Sequence, residues 1–449
     1  MTLRSIILGI ILSVVLGAAN AYLGLFAGIT ISASIPAAVL SMGILSFFKN
    51  SSIKENNLVQ TSASAGESLA AGIIFTIPAL ILIGADGDSI FKGWESFNYL
   101  KILMYSLLGG IMGIFFTIPL RKALIENAQL SYPEGQATAK VLEVGDSARR
   151  GNSKEAKSNL KFMIGASVLG ALFKLLQSGF HIVSEVFSAS FITFKSVFAF
   201  GVSLSPALLS VGFIIGRKVS LMVFSGGAFA WLIMLPILSS GEAHNNLPLM
   251  DYAYQIWSTK IRYIGVGAML IGGIWSLVSV FKFIAIGFSN KSADINQSEQ
   301  KKDIPMKWVF SGMLLIFAIL VPLYNQDMQS LPLSIALCAL MIFMAFIFSA
   351  VAAYMAGGVG SSNNPISGVT IATIMFSSLL ILFLKGQAEN GPLLAILIGS
   401  VVCCAAAIGG DNMQDLKAGH IIKASPWKQQ IMQIVGVTSA SLVMGLVVV

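Results

Sequence analysis

The chain has 449 residues, of which 56% are hydrophobic and 11% charged, whereas an ordinary soluble domain carries about 25% charged residues. That balance excludes a soluble globular domain and describes a chain that crosses a membrane many times. The net charge of +8 does not mark a nucleic-acid binder, because the basic residues fall mostly in short segments between apolar runs, where the positive-inside bias collects them.

A helix needs about 20 mostly apolar residues to cross the hydrocarbon core. On that length, spans are expected near Leu3 to Leu25, Ile29 to Phe48, Gln60 to Gly84, Tyr99 to Leu120, Leu160 to Phe180, Val197 to Gly216, Val219 to Ser239, Ile261 to Phe288, Lys307 to Tyr324, Leu331 to Met355, Ile366 to Leu384, Pro392 to Ile408 and Gln430 to Val449. The expected fold is an all-α polytopic membrane protein of about 12–14 transmembrane helices. Glu185 to Phe200 reads as a re-entrant or interfacial piece.

Counted from Arg4, basic loops (Lys49 to Lys54, Arg121 to Lys161, Arg217 to Lys218, Lys282 to Lys307, Lys417 to Lys428) alternate with acidic ones around Asp86, Glu242, Asp327 and Glu389. The bias predicts a cytoplasmic N-terminus. Residues 289–306 are polar and Lys-rich, so they read as a linker between an N-terminal half, 1–288, and a C-terminal part, 307–449. The last run stops at Val449 without a flanking charge, as a truncated chain would, or one whose remainder is encoded separately.

Carriers are commonly built from duplicated units. Ala19-Asn-Ala-Tyr-Leu-Gly24 echoes Ala352-Ala-Tyr-Met-Ala-Gly357, and Leu69-Ala-Ala-Gly72 echoes Leu416-Lys-Ala-Gly419. These short echoes suggest repetition and leave its symmetry open.

Cys338, Cys403 and Cys404 lie inside apolar runs, without disulfide or metal-site spacing. His181, His244 and His420 are far apart, so no metal site and no cofactor is expected. Gly358-Val-Gly360 lacks the third glycine of a dinucleotide fingerprint, and no Gly-Lys-Ser/Thr loop occurs. An ion gradient is therefore the expected energy source.

Asn57, Gln60 and Glu67 share one helical face by their spacing. Small residues flank Glu67, so a backbone or a substrate can approach it. It is a candidate for a peptide amino terminus or a coupling proton, with pairing to a lysine as the competing reading. Tyr132 and Glu134 sit in Tyr132-Pro-Glu-Gly135, a tight turn whose Gly135 permits an unusual backbone angle; a plain surface turn is the alternative. Pro36, Pro78 and Pro119 mark kinks or breaks. The run Gly357 to Pro365 marks an unwound gap, with Asn363 and Asn364 in its lining. Asp411, Gln414 and Asp415 fall on one face if their segment is helical. That segment reads as a polar stretch at a cytoplasmic mouth, with Lys417 placed to neutralise it.

Gly410-Asp-Asn-Met-Gln-Asp-Leu-Lys-Ala-Gly419, followed by Ala424-Ser-Pro-Trp-Lys-Gln-Gln430, resembles the signature of the oligopeptide transporter (OPT) family, bacterial branch, related to the yellow stripe-like metal-chelate carriers. Asn20-Ala-Tyr-Leu-Gly24 through Ser32-Ala-Ser-Ile-Pro-Ala-Ala38, Asn57-Leu-Val-Gln-Thr61 through Ser64-Ala-Gly-Glu67, Tyr132-Pro-Glu-Gly135 and Asn364-Pro-Ile-Ser-Gly-Val-Thr-Ile-Ala372 resemble other stretches of it in order. The resemblance implies a secondary active transporter, not an enzyme, that imports short oligopeptides or peptide-like metal chelates with protons. It places the chain in a bacterial inner membrane. It implies substrate binding at Asn20, Tyr22, Asn57, Gln60, Glu67, Tyr132, Glu134, Asn363, Asn364 and Gln414, and proton coupling at Glu67, Asp411 and Asp415. The expected partners are substrate, protons and the lipid bilayer, with a homo-oligomer left open. Two other classes also stay open: a membrane-embedded enzyme using Asp411 and Asp415, and a channel or subunit that needs a partner.

Overall fold

Seven helices among the described residues are long and apolar enough to cross a membrane, and the chain is an all-α polytopic membrane protein. A computed structural model describes residues 1–82 apart from 28, 29, 31 and 49, then 99–149, parts of 161–275, 302–385 apart from 362, 363 and 365, and 391–448. The contacts divide it into two units, Met1–Asn152 with Leu270–Val449, and Ser153–Met269.

The first unit begins with α1 (Leu3–Ala27), α2 (Ser34–Leu45) and α3 (Ile53–Ile74). α3 is rich in Ala, Ser and Gly, and Ser52 caps its start: the Ser52 hydroxyl accepts from the Glu55 amide at 3.2 Å. All of its residues from Glu55 onward are buried. A short α4 (Ala79–Leu82) precedes α5 (Tyr99–Arg121), a π-turn over Lys122–Asn127 and α6 (Pro133–Arg149). The later helices of this unit are α10 (Met306–Met328), α11 (Leu331–Val359), α12 (Ile366–Lys385), α13 (Gly391–Ile421) and α14 (Pro426–Val448).

The contacts define an inverted repeat. α1 runs parallel to α3, since Arg4 meets Glu55 and Asn20 meets Glu67. α2 returns antiparallel, pairing Ser34 with Ser64 and Ser41 with the Asn56 carbonyl. In the same manner α11 runs parallel to α13, with Ser349 on Gly409 and Ala356 on Gln414, and α12 returns, with Thr370 on Cys403. α3 and α13 themselves cross antiparallel, bringing Gln60 to Asp415 and Ser68 to Asp411. The crossing is close because a Cβ on Gly72 would fall 2.2 Å from the Cys404 sulfur, so only a residue without a side chain fits there. The long helix after each triplet packs on the other triplet: α5 lies on α13 and α14 lies on α3. Both echoed sequence pairs therefore sit at matching places in the repeat.

Three expectations are corrected. The segment Ile29 to Phe48 is not a full span, because its helix holds only 12 residues and is about 18 Å long, starting at depth next to Pro36. The span expected to end at Ile408 runs on: α13 is 31 residues long and continues through the polar stretch at 409–420 to Ile421. The three glycines of that stretch favour close approach over helix propensity, and burial among the surrounding helices keeps it helical. The run Val197 to Gly216 begins not as a span but as β2 (Ser196–Ser203), paired antiparallel with β1 (Val186–Thr193). Phe191 and Phe198 stack across that pair at 5.6 Å, as aromatic cross-strand neighbours do. The hairpin belongs to the second unit, where Val197 and Ala199 pack with Leu235, Tyr252 and Ala253 from α8 (Leu235–Ser239) and α9 (Leu249–Ile256), which follow α7 (Arg217–Ala228).

Candidate functional site

Glu67 is buried two thirds of the way along α3. Its carboxylate accepts from the Asn20 amide of α1 and from the backbone N–H of Ala33, 3.0 Å away. Ala33 is the cap of α2, so the positive end of that short helix faces the carboxylate.

Asp415 accepts from the Ser34 hydroxyl at 2.9 Å and from the Gln60 amide. Gln60 in turn accepts from Asn57 at 3.1 Å, so two residues of the expected polar face of α3 form one chain of hydrogen bonds ending at Asp415, while the third, Glu67, takes other donors. One helical turn earlier, Asp411 accepts from the Ser68 hydroxyl. Among the described residues no lysine, arginine or histidine forms a salt bridge with Glu67, Asp411 or Asp415. Lys417, expected to neutralise them, donates instead to the Leu130 carbonyl at 2.9 Å.

The break between α11 and α12 closes the other side. Gly360 has φ +87°, and the place a Cβ would occupy lies 2.7 Å from a Glu134 carboxylate oxygen. The neighbouring Ser361 hydroxyl donates to Glu134. Asn364 donates to the Ala352 carbonyl at 3.0 Å. Gln414 bridges, accepting from the Gly135 amide at 2.8 Å and donating to the Ala356 carbonyl at 2.7 Å.

Tyr132-Pro-Glu-Gly135 is no surface turn. Pro133 is the first residue of α6, where a proline fits because that position has no hydrogen bond to lose. The unusual angle falls on Tyr132, φ +49°, which is fully buried and anchored by its N–H to Gly357 and its hydroxyl to Ala353, both at 3.0 Å. Gly135 serves close approach instead: a Cβ there would sit 2.4 Å from the Gln414 carbonyl oxygen.

The structure thus brings together Asn20, Asn57, Gln60, Glu67, Tyr132, Glu134, Asn364, Asp411, Gln414 and Asp415. Tyr22 does not join them: two residues past Asn20 on α1, it points outward and is 63% exposed. Asn363 lies outside the described residues. Sequence reasoning missed Ser34, Ser68, Ser361 and the Ala33 amide. Serines are common in tightly packed membrane helices and carried no distinguishing spacing. The one usable signal was Pro36, which sits in the first turn of α2.

Several acceptors in this region have no hydrogen-bond partner among the described residues: one oxygen of Asp415 and the side-chain carbonyls of Asn57 and Asn364. Buried polar atoms are rarely left so. The arrangement presents buried carboxyl groups with no cationic partner among the described residues, and open acceptors, the complement of a proton, an ammonium group or a peptide N–H.

A family model described as "OPT oligopeptide transporter protein" matches residues 1–449. A Haemophilus influenzae protein named "Putative oligopeptide transporter" is 34% identical over 446 residues, covering 94% of this chain and 68% of that protein. The Arabidopsis thaliana "Metal-nicotianamine transporter YSL3" is 24% identical, covering 96% of this chain and 68% of its own length. The rice "Iron-phytosiderophore transporter YSL15" is also 24% identical, covering 85% and 60%. This chain therefore matches about two thirds of the length of such relatives.

Proposed function

Because the chain belongs to the OPT oligopeptide transporter family, we propose that it is a secondary active transporter that carries short peptides or peptide-like metal chelates into the cell together with protons. The observation that carries the reading is the burial of Glu67, Asp411 and Asp415 side by side with no cationic partner among the described residues. Negative charge at such depth has to be neutralised by a proton or by a cationic group entering between the helices. A site that accepts either one couples the two.

In this reading Glu67, cradled by Asn20 and the start of α2, exchanges the proton, while Asp411 and Asp415 take the substrate's ammonium group or share that proton. Gln60, Gln414, Glu134 and Asn364 supply donors and acceptors for a peptide backbone. The inverted repeat supports alternating access, since two oppositely directed triplets can rock about the α3–α13 crossing. The basic end of the bundle faces the cytoplasm of a bacterial inner membrane, and the N-terminus with it.

The test is uptake of a labelled tripeptide and a labelled iron chelate into proteoliposomes, with and without an inward proton gradient. Saturable uptake of one of them, accelerated by the gradient, is the expected result. Gradient-independent or absent uptake of both would overturn the proposal.

A further inference from the structure

Apart from the carboxylate cluster, the described residues enclose a cavity of about 520 Å³ at the basic end of the bundle. Arg4, Ser52, Lys54, Glu55, Ser425 and Lys428 are among its lining. From these residues we infer a binding site for a phosphate-bearing anion, filled by the headgroup of an anionic lipid.

Charge is the first reason. Three cationic side chains face one acid, and that acid is engaged: Glu55 receives Arg4 Nε at 2.6 Å, Arg4 Nη2 at 2.7 Å and the Thr2 hydroxyl. Arg4 also reaches the Asn50 carbonyl at 3.2 Å, so the guanidinium is fixed as part of the wall. Backbone polarity is the second reason, because Ile53 and Lys54 open a 22-residue helix whose first-turn amides have no acceptor within the helix. Those amides, two lysines and the serine hydroxyls form the donor set that a phosphate monoester or diester takes up.

Position is the third. Phe47 and Phe48 end the neighbouring turn at 88% and 48% exposed, and the Arg4 guanidinium lies 5.8 Å over the Phe48 ring. Exposed aromatic rings beside basic residues mark the level of lipid headgroups. The cavity opens where the anionic leaflet places its phosphates, and each cation there strengthens binding by about 1 kcal/mol, or about fivefold.

The experiment adds phosphatidylglycerol, phosphatidylcholine or inorganic phosphate to the detergent-purified full chain and measures retained lipid by native mass spectrometry, with thermal stabilisation as the second readout. Wild type should retain phosphatidylglycerol in preference to phosphatidylcholine. Lys54→Gln and Lys428→Gln should each weaken retention about fivefold, while Lys423→Gln, a nearby lysine that does not line the cavity, leaves it unchanged. Stabilisation by inorganic phosphate alone, lost in the same two variants, supports the anion site and reassigns its source to a soluble phosphate. Equal retention of both lipids with no phosphate effect, or equal loss in all three variants, overturns the inference. The variants' melting temperatures in phosphatidylcholine separate lost binding from lost folding, and none of these outcomes depends on transport.

Discussion

Ser68 on α3 donates its hydroxyl to Asp411 on the antiparallel α13, tying the two central helices of the inverted repeat together beside Glu67. Gly66-Glu67-Ser68 and Gly410-Asp411-Asn412 lie on those helices. Glu67 and Asp411 lie at the same crossing, and the strongest functional expectations concern this pair.

Replacing Glu67 with Gln keeps the shape and the Asn20 contact but removes the exchangeable proton. Gradient-driven uptake should fall to the gradient-free level, while substrate exchange between equal concentrations persists. Full gradient stimulation in Glu67→Gln liposomes would return the residue to a structural role.

Asn20 and Tyr22 make a pair of unequal expectation on one helix. Asn20→Ala removes a buried donor to a carboxylate, a loss on the order of 1–3 kcal/mol, and should depress both uptake and melting temperature. Tyr22→Phe keeps an outward-facing ring and should depress both less than Asn20→Ala does. Equal effects of the two substitutions would contradict the placement of the site.

Gly135→Ala drives a methyl toward the Gln414 carbonyl, backbone against backbone, so α6 has to shift from α13. Overpacking of this kind costs about 1–3 kcal/mol, readable as a lower denaturation midpoint in detergent. An unchanged midpoint would show that the two helices are not in contact there.

Arg121 is 2% exposed and holds Asp303 through two hydrogen bonds of 2.7 Å and Glu126 through one of 2.9 Å. Gln430 also donates to Asp303 at 2.7 Å, so residues just before α10 are clamped onto α5 and α14. Arg121→Met leaves Asp303 without its cation and should cost about 3–5 kcal/mol. The double variant with Asp303→Leu should recover much of that loss. A double variant no more stable than Arg121→Met would refute the pairing as the cause.

Glu55 precedes the apolar part of α3. Burial pushes its carboxyl up, but the Arg4 guanidinium and the Thr2 hydroxyl outweigh burial and hold it below the ordinary 4.5. A lowered native value means that the stabilisation is complete above the ordinary one and is lost as pH falls through the native one. Thermal melts between about pH 3 and 7 should therefore show a steeper acid-side decline for wild type than for Glu55→Gln; parallel curves would contradict the lowered value.

Much of the site was readable along single helices. The spacings of Asn57, Gln60 and Glu67, and of Asp411, Gln414 and Asp415, fixed which side chains share a face, because a helix repeats every 3.6 residues. The motifs also carried the family, and composition alone carried the membrane class. What those faces meet was not readable. Apolar surface turned to lipid and apolar surface turned to another helix have the same composition, so nothing in the chain distinguished Pro392 to Ile408 as the beginning of a longer helix buried along most of its length.

The sequence by itself determined a multi-span membrane chain of this family, with acidic and amide residues at helical spacing. Only the tertiary structure decided that α3 and α13 run in opposite directions, that α2 starts beside Glu67, and that serines rather than Lys417 contact the carboxylates. Helical periodicity acts within a few turns of one helix. The pairing of helices hundreds of residues apart is set by close packing of small residues such as Gly72 against Cys404, which becomes visible only once the helices are in place.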